Sequence, residues 1–269
     1  MTQTILITGA STGIGRAAAQ RFMAEGWNVL ATMRNPESSD LTGENLRLLR
    51  LDVTDADSIH EAVAAGLQHF GRIDALLNNA GYGACGPLEA FTEAQIRRQF
   101  ETNVFGLLAV TRAVLPQMRA QKSGVVVNIS SVGGRMTFPF FSLYHGTKFA
   151  VEGITEALAF ELATFGAKVK IVEPGAIKTD FAGRSLDFTN DPALAEYQPL
   201  IGKVLEVFGQ TDRPSSDPSI VADVIWQAVT DGTDRLRYTA GEDARVLMAN
   251  RSAMDDASFT AGVKARFGI

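Results

Sequence analysis

Apolar runs rich in β-branched residues alternate with helix-period segments from the start of this chain to about residue 175. The predicted strands are Thr4–Thr8, Asn28–Met33, Leu46–Leu51, Ala75–Leu77, Gly124–Ser130 and Lys168–Glu173, with one more at Leu236–Thr239. The predicted helices are Ile14–Glu25, Asp55–Phe70, Thr92–Arg119 and Leu143–Thr164. Several strands are apolar on both faces, which is typical of a parallel sheet covered by helices on both sides. The sequence therefore predicts one α/β domain over residues 1–269, built on a doubly wound parallel β-sheet.

The composition fits one compact domain and argues against several classes of function. Hydrophobic residues make up 46% of the chain, and the formal net charge of −5 offers no basic field to nucleic acid or an anionic membrane. The single Cys85 and three scattered histidines suggest neither a disulfide nor a metal site. No apolar run is long enough to span a bilayer, and a strand begins close to Met1. We therefore expect a cytoplasmic protein with no metal and no nucleic-acid or membrane partner.

The strand and helix alternation stops between residues 181 and 218. This segment combines turn-forming residues with the aromatic side chains of Phe181, Phe188, Tyr197 and Phe208. We expect a partly helical flap over a pocket, because a flap needs apolar residues on its inner face. The segment also follows the carboxyl end of a strand, where ligands bind in such sheets. A surface excursion packed against the core is the alternative.

A glycine-rich turn, Thr8-Gly9-Ala10-Ser11-Thr12-Gly13-Ile14-Gly15, joins the first strand to the first helix. Glycines permit a tight turn and a close approach of the backbone to a pyrophosphate, and the helix N-terminus offers free N–H groups to that anion. The turn therefore predicts a dinucleotide site formed by Gly9, Ser11, Thr12, Gly13, Ile14 and Gly15. A purely structural turn is the competing interpretation, but it would not need three glycines and two hydroxyls together.

The residues after the second strand bear on the choice of dinucleotide. An acidic residue about twenty positions after the glycines binds the 2′-hydroxyl of NAD. This chain has Met33, Arg34 and Asn35 there. A guanidinium can pair with a 2′-phosphate, and no carboxylate repels it, so the sequence predicts NADP(H) as the preferred cofactor, with NAD(H) possible. A solvated surface arginine is the competing interpretation.

Tyr144 and Lys148 are four residues apart in the fourth predicted helix. Positions i and i+4 share one helix face, so the phenol and the ammonium reach the same small volume. A nearby positive charge favours the phenolate and brings the tyrosine pKa, ordinarily about 10, toward the range of an acid/base catalyst. Tyrosine and lysine also share helix faces for packing alone, so the pair gains its meaning from other motifs.

Together these motifs resemble those of the short-chain dehydrogenase/reductase family, over at least Thr4 to Thr179. The matching motifs are Thr8–Gly15, Asp52-Val53, Asn78-Asn79-Ala80-Gly81, Asn103, Ser130-Ser131, Tyr144-x-x-x-Lys148, and Pro174-Gly175 followed by Thr179. The resemblance implies a Rossmann fold and an NAD(P)-dependent oxidoreductase that acts on CH–OH or C=O groups.

The resemblance also implies how a dinucleotide would be held. Besides the glycine-rich turn and Arg34, the implied cofactor-binding residues are Asp52, Val53, Asn79, Ala80, Gly81, Asn103, Tyr144, Lys148, Pro174, Gly175, Ile177 and Thr179. Asp52 would accept a hydrogen bond from the adenine amino group, and Val53 would pack beside the ring. Backbone groups through Ile177 and the hydroxyl of Thr179 would fix the nicotinamide carboxamide.

The implied catalytic residues are Asn103, Ser131, Tyr144 and Lys148. Tyr144 would protonate the substrate oxygen during hydride transfer, while Ser131 hydrogen-bonds that oxygen. Lys148 would lower the tyrosine pKa and bind the nicotinamide ribose, and Asn103 would hold a water near the lysine. The family spacing selects Ser131 for the catalytic position and leaves Ser130 as a residue of the strand end.

Aromatic residues dominate the surroundings of the predicted carbonyl site. The predicted substrate site comprises Ser131, Tyr144, Phe138, Phe141 and Phe181. Such a lining suits an apolar or aromatic ketone, aldehyde or alcohol as a small-molecule substrate.

Assembly and two other functions follow from the same comparison of motifs. Family members commonly assemble through the long helices at Thr92–Arg119 and Leu143–Thr164, so we expect a homo-oligomer, a dimer or a tetramer.

Two alternative functions are considered. One is a nucleotide-sugar epimerase or dehydratase, but the short C-terminal part and the glycine spacing argue against it. An NAD(P)-binding protein with a regulatory role is the other, and the intact catalytic residues argue against it.

Overall fold

A computed structural model describes residues 2–209 and 215–269, and for Phe181 and Ala182 it describes the backbone alone. The strands are β1 (Thr4–Thr8), β2 (Asn28–Met33), β3 (Leu46–Arg50), β4 (Ala75–Asn78), β5 (Gly83–Cys85), β6 (Gly124–Ile129), β7 (Ala167–Pro174), β8 (Leu186–Phe188) and β9 (Arg237–Ala240). Seven of them form one sheet in the order β3-β2-β1-β4-β6-β7-β9, and each neighbouring pair is parallel. The strand order reverses direction between β1 and β4, so the predicted doubly wound sheet is confirmed.

Helices cover both faces of this sheet. They are α1 (Gly13–Ala24), α2 (Ala56–Phe70), α3 (Glu93–Phe100), α4 (Gly106–Gln121), α5 (Ser142–Ala163), α6 (Phe181–Arg184), α7 (Gln198–Gly209), α8 (Pro218–Thr230), α9 (Glu242–Ser252) and α10 (Asp256–Phe267). A π-helical turn at Glu101–Phe105 connects α3 to α4, so the single helix predicted from Thr92 to Arg119 is interrupted in its hydrogen bonding. No helix in the described part of the chain combines the length and apolarity required to cross a membrane.

The ends of the predicted elements agree with the structure to within two residues. Local side-chain chemistry explains part of this agreement. The carboxylate of Asp55 accepts from the N–H groups of Asp57 and Ser58 at the start of α2, and Thr92 forms a reciprocal capping box with Gln95 before α3. The hydrophobic periodicity of the sequence did not identify helices α8 to α10 or the small parallel sheet of β5 and β8.

The core consists of two apolar layers, one on each face of the sheet. In β1, Ile5 and Ile7 belong to the layer that includes α1 and α8, whereas Leu6 belongs to the layer that includes α2 and α4. This alternation explains why three consecutive residues of the strand are apolar, since both of its faces are buried. The layers leave the carboxyl ends of β1, β4, β6 and β7 at one edge, which is where the predicted site residues lie.

A buried ionic cluster joins α5 to the last strands of the sheet. Arg237 of β9 contacts Glu152 of α5, with 2.9 Å between Nε and Oε2, and its Nε lies 3.8 Å from Oε1 of Glu173 in β7. Arg135 approaches the same Glu173 oxygen at 3.4 Å. Burial, followed by the neighbouring Glu152, raises the pKa of the Glu173 carboxyl to about 7 despite these arginines. Desolvation therefore outweighs the ion pairs at this position.

We expect the substitution Glu173→Gln to change how stability depends on pH. The folded-state pKa lies above the ordinary value of 4.5, so the folded protein binds this proton more tightly than the unfolded chain does. The free energy of unfolding should therefore fall as pH rises from about 4.5 to about 7. Glutamine removes this titration, so urea unfolding should show the variant gaining stability relative to the wild type between about pH 4.5 and about pH 7.

Glu156→Gln provides a matched control for this measurement. Arg237 holds the pKa of the Glu156 carboxyl below its ordinary value, so that group stays ionised throughout the same pH range. The control should therefore follow the wild-type pH dependence. A constant stability difference between Glu173→Gln and the wild type at all pH values would contradict the raised pKa.

Candidate active site

The glycine-rich turn is compact where it passes from β1 into α1. Gly9 and Gly13 have φ values of 67° and 56°, a region that L-residues rarely adopt. A Cβ on Gly15 would lie 2.4 Å from the carbonyl oxygen of Gly9, so the helix can start this close to the strand only with glycine there. Ser11 and Thr12 are exposed beside the turn, and Ile14 is half-buried.

The first turn of α1 leaves its backbone N–H groups available to an anion. Thr12 is the N-cap residue, but its side chain makes no capping hydrogen bond, and the first turn contains no acidic residue. These groups carry partial positive charge and point away from the helix. The arrangement fits a dinucleotide pyrophosphate, which the glycine pattern predicts.

Hydrogen bonds from the end of β4 hold the turn in place. The side-chain amide of Asn79 donates to the carbonyl oxygens of Thr8 and Gly9 at 2.9 and 3.1 Å. The hydroxyl of Thr8 accepts from the backbone N–H groups of Asn79 and Ala80. The predicted residues Asn79 and Ala80 are therefore brought directly against the glycine-rich turn.

The residues predicted to contact the adenosine lie at the ends of β2 and β3. Arg34 is exposed, and within the part of the chain that the structure describes it has neither an ion-pair nor a hydrogen-bond partner. Asp52 accepts from the N–H and the hydroxyl of Thr54 through Oδ1, so it also caps the following turn. Val53 packs against Gly106, where an added Cβ would lie 2.8 Å from the valine Cβ.

The segment after β7 is held by an aspartate that no sequence motif indicated. Asp243, in the first turn of α9, accepts from the N–H of Ala176 at 2.6 Å, and a Cβ on Gly175 would lie 2.2 Å from the same carboxylate. Pro174 ends β7, and Ile177 pairs with Ser216 in an isolated bridge. The predicted Pro174-Gly175 segment is therefore fixed by α9, which sequence periodicity did not reveal.

The same segment contacts the glycine-rich turn. A Cβ on Gly13 would lie 3.2 Å from Cγ2 of Thr179, and the guanidinium of Arg184 donates to the hydroxyl of Thr12. The predicted cofactor residues of β1 and β7 therefore converge at one edge of the sheet.

Asn103 lies buried in the π-helical turn and links three parts of the site. Its Oδ1 accepts from the N–H of Tyr82 at 3.0 Å, and its Nδ2 donates to the carbonyl oxygen of Tyr82 at 2.8 Å. Nδ2 also lies 3.1 Å from the hydroxyl oxygen of Thr147, the residue before Lys148. A Cβ on Gly81 would approach Oδ1 to 3.1 Å, which explains the glycine at that position.

The predicted catalytic residues Ser131, Tyr144 and Lys148 come together at the carboxyl end of β6. A side-chain hydrogen bond joins Tyr144 to Ser131, whose Oγ also accepts from the N–H of Gly133 at 3.0 Å. Nζ of Lys148 lies 5.8 Å from the ring centroid of Tyr144 and donates to the carbonyl oxygen of Ile129 at 2.9 Å. The i, i+4 geometry on α5 therefore places the ammonium beside the phenol ring.

Burial controls the protonation of this pair. Desolvation raises the pKa of Tyr144, and the hydrogen bond from Ser131 acts in the opposite direction. Desolvation also lowers the pKa of Lys148 to about 8, against the raising effect of Glu152. The sequence predicted a tyrosine pKa lowered by Lys148, but here the pKa of Tyr144 is raised by the loss of water, and Ser131 is the group that opposes this effect.

An aromatic loop follows Ser131 and packs against the predicted flap. The ring centroid of Phe141 lies 6.4 Å from that of Tyr144 and 5.3 Å from that of Phe208 in α7. Phe138 lies 5.8 Å from Phe208. The predicted substrate residues Phe138 and Phe141 therefore form an apolar wall beside Tyr144, whereas the side chain of Phe181 lies outside the described residues.

A cleft of about 360 Å³ runs along the aromatic loop. It is lined by Thr137, Phe138, Phe140, Ser142, His145, Gly146 and Phe149. Of the predicted substrate residues only Phe138 contributes to this lining, so the cleft lies beside the predicted catalytic residues rather than among them.

Sequence reasoning missed His145, which occupies the centre of this wall. The sequence indicates only a scattered histidine without metal-ligand spacing. Its position directly after Tyr144 is the one available signal, because adjacent residues of a helix are close in space although their side chains point about 100° apart.

Comparison with known proteins agrees with this geometry. A model of the short chain dehydrogenase family matches residues 3–189. An uncharacterised oxidoreductase of Schizosaccharomyces pombe is 44% identical over 239 residues, which cover 88% of this chain and 100% of the relative. A 3-ketodihydrosphingosine reductase of Bacteroides thetaiotaomicron is 37% identical over 247 residues, which cover 92% of this chain and 91% of the relative.

Solved structures share the whole architecture. A short-chain dehydrogenase from Streptomyces avermitilis superimposes with a TM-score of 0.84 at 39% identity, covering 98% of this chain and 97% of the other. ElxO with NADP bound superimposes with a TM-score of 0.72 at 27% identity, covering 89% of this chain and 98% of the other. The family match spans well over half of the chain, and the fold and site geometry agree with it. This protein therefore belongs to the short-chain dehydrogenase family of oxidoreductases.

Proposed function

We propose that this protein is an NADPH-dependent carbonyl reductase, or a secondary alcohol dehydrogenase in the reverse direction. The proposed substrate is an apolar or aromatic ketone, aldehyde or alcohol. The observation that carries the proposal is the contact of Tyr144 with Ser131 beside the buried Lys148, at the sheet edge that also holds the glycine-rich turn.

The protonation of the site supports carbonyl reduction. When bound, the nicotinamide cofactor supplies the hydride. Burial favours the neutral phenol of Tyr144, which is the form that can donate a proton to the carbonyl oxygen. Ser131 accepts from the N–H of Gly133, and its hydroxyl proton, which bonds to Tyr144 in this structure, would turn to the same substrate oxygen once a substrate is bound. The ammonium of Lys148, held by the carbonyl oxygen of Ile129, stays beside the phenol. It is a proton donor there as negative charge develops on the phenol oxygen.

The preference for NADP(H) rests on the end of β2. The exposed guanidinium of Arg34 is available to a 2′-phosphate, since the structure gives it no partner among the described residues. ElxO, which shares this fold, was solved with NADP bound. An arginine can form two parallel hydrogen bonds to a phosphate, which supports the choice of the phosphorylated dinucleotide.

The apolar substrate class rests on the aromatic loop. Phe138 and Phe141 form a wall next to Tyr144, and both pack against the buried apolar residues Cys85, Val204 and Phe267. The related protein of Bacteroides thetaiotaomicron is named a 3-ketodihydrosphingosine reductase, which agrees with reduction of a ketone. A ketone of this class would place its oxygen toward Ser131 and its apolar part toward the phenyl rings.

Three further points of the proposal concern assembly, location and the alternative function. We propose a homo-oligomer formed through α4 and α5, since Phe105, Phe149 and Phe160 are 54, 46 and 77% exposed on or beside these helices. The cytoplasmic location stays a prediction from the sequence. The alternative is an NAD(P)-binding protein with a regulatory role, which tight binding of NADPH without reduction of any carbonyl compound would favour.

The substitution Tyr144→Phe should abolish turnover while leaving dinucleotide binding intact. It removes only the proton-bearing oxygen, and loss of a general acid costs about 10²- to 10⁴-fold in kcat. NADPH consumption with a panel of apolar ketones measures kcat, and fluorescence titration measures NADPH affinity. Tyr197→Phe is the matched control, because the hydroxyl of Tyr197 bonds to Glu89 and should be dispensable. A near-normal kcat in Tyr144→Phe would refute the role of Tyr144.

The substitution Arg34→Ala should reduce discrimination between the dinucleotides. Loss of charge-assisted hydrogen bonds to the 2′-phosphate should lower kcat/KM for NADPH by about 10- to 100-fold and leave the NADH value nearly unchanged. Steady-state kinetics with both cofactors tests this. Arg47→Ala, at an exposed arginine of β3, should leave the ratio unaltered. Equal kcat/KM values for NADPH and NADH in the wild type would refute the preference.

Light scattering at micromolar concentration should report a mass at least twice that of the 28.9 kDa chain. Phe160→Glu should shift the protein toward the monomer, because burying a phenyl ring contributes about 1.5–3 kcal/mol and a buried unpaired carboxylate opposes association. A wild-type monomer would refute the proposed assembly.

A further inference from the structure

Both ring nitrogens of the buried His145 bond to the backbone of the loop that follows Ser131. Nδ1 lies 2.8 Å from the carbonyl oxygen of Gly133, and Nε2 accepts from the N–H of Phe138 at 2.9 Å. A carbonyl can only accept and an amide N–H can only donate, so the ring is neutral with its proton on Nδ1. Burial lowers the pKa of His145, which favours the same neutral form.

The hydrogen bond from Nδ1 is connected through Gly133 to the predicted catalytic Ser131. The carbonyl oxygen of Gly133 accepts from His145, and the N–H of the same residue donates to Oγ of Ser131 at 3.0 Å. A Cβ at position 133 would lie 2.8 Å from Nδ1, so residue 133 and the imidazole can be this close only with glycine. The direction of the Ser131 hydroxyl therefore depends on a glycine that His145 holds.

The hydrogen bond to Nε2 comes from the N–H of Phe138, which belongs to the aromatic wall. Two residues after Phe138 comes Phe140, a non-glycine residue with a φ of 66°. Such a conformation is strained for a residue with a Cβ and persists only where surrounding contacts impose it. One of these contacts is the bond from the N–H of Gly86 to the carbonyl oxygen of Phe140 at 2.8 Å, and the bond from Phe138 to His145 is another.

We propose that His145 is a positioning residue that acts through its two nitrogens on two different steps. The Nδ1 bond orients Ser131 for turnover, and the Nε2 bond holds the Phe138 loop in the shape that binds the apolar part of the substrate. This inference rests on the proposed carbonyl reductase function, in which Ser131 contacts the substrate oxygen and Phe138 lines its apolar part.

Two amide side chains can separate these bonds, because each reproduces one nitrogen of the ring. His145→Asn can place an amide N–H near the position of Nδ1 and leaves the N–H of Phe138 unpaired. His145→Gln can place its carbonyl oxygen near the position of Nε2 and leaves the carbonyl of Gly133 unpaired. His145→Phe has a similar shape and removes both bonds.

The expected kinetic result is a split between kcat and KM for an apolar ketone with saturating NADPH. His145→Gln should lose about 10-fold or more in kcat, because a misdirected Ser131 is a positioning defect in turnover. His145→Asn should retain kcat to within about 3-fold while its KM rises about 3- to 10-fold, as expected for a lost hydrogen bond in the binding loop. His145→Phe should show both defects, with unchanged NADPH affinity. His69→Asn, on α2 and away from the site, is the control and should match the wild type.

A merely structural role predicts a different pattern. If His145 were merely structural, His145→Asn and His145→Gln would lose kcat equally, in proportion to their loss of thermal stability. That result would overturn the proposal. Wild-type values of kcat and KM in His145→Phe would overturn it as well.

Backbone hydrogen exchange separates this inference from the proposed function. A wild type that binds NADPH but reduces no carbonyl compound would reject the function, and exchange over residues 131–141 would then decide the role of His145. The N–H of Phe138 should remain protected in His145→Gln and exchange at least about 10-fold faster in His145→Asn. Equal exchange rates in the two variants would overturn the assignment of separate bonds to the two nitrogens.

Discussion

The contact between the Lys148 ammonium and the carbonyl oxygen of Ile129 connects the two halves of the site. Ile129 is the last residue of β6, and Lys148 lies one turn into α5 after Tyr144. The bond fixes the helix against the sheet edge, so the phenol, the serine after β6 and the glycine-rich turn face a common space. Lys148 is only 9% exposed, and a buried ammonium without such an acceptor would be strongly destabilising.

The same burial shapes the electrostatics around α5. It raises the pKa of Tyr144 and of Glu173 and lowers that of Lys148, which shifts each group toward its neutral form. Arg237 opposes this trend for the Glu173 carboxyl, as Glu152 does for Lys148. The protonation of the site is therefore determined mainly by the exclusion of water, and the charged partners modify it.

Sequence reasoning succeeded where the information is local. The two-sided apolar pattern of Ile5, Leu6 and Ile7 predicted a buried parallel strand, and the spacing of Tyr144 and Lys148 predicted a shared helix face. The match of ordered motifs identified the family, which the comparisons confirm. The direction of the Tyr144 pKa shift was wrong, because the degree of desolvation depends on packing from distant elements. Asp243 and His145 were missed for the same reason, since their partners at Ala176, Gly133 and Phe138 come from other segments.

The sequence by itself determined the parallel α/β architecture, the glycine-rich turn and the i, i+4 pair, because hydrophobic periodicity and glycine geometry are properties of neighbouring residues. Only the tertiary structure decided that α9 supports Gly175, that α7 covers the aromatic loop and that an imidazole joins Gly133 to Phe138. These contacts unite residues far apart in the chain. Their geometry follows from how helices and strands pack, which local patterns do not encode.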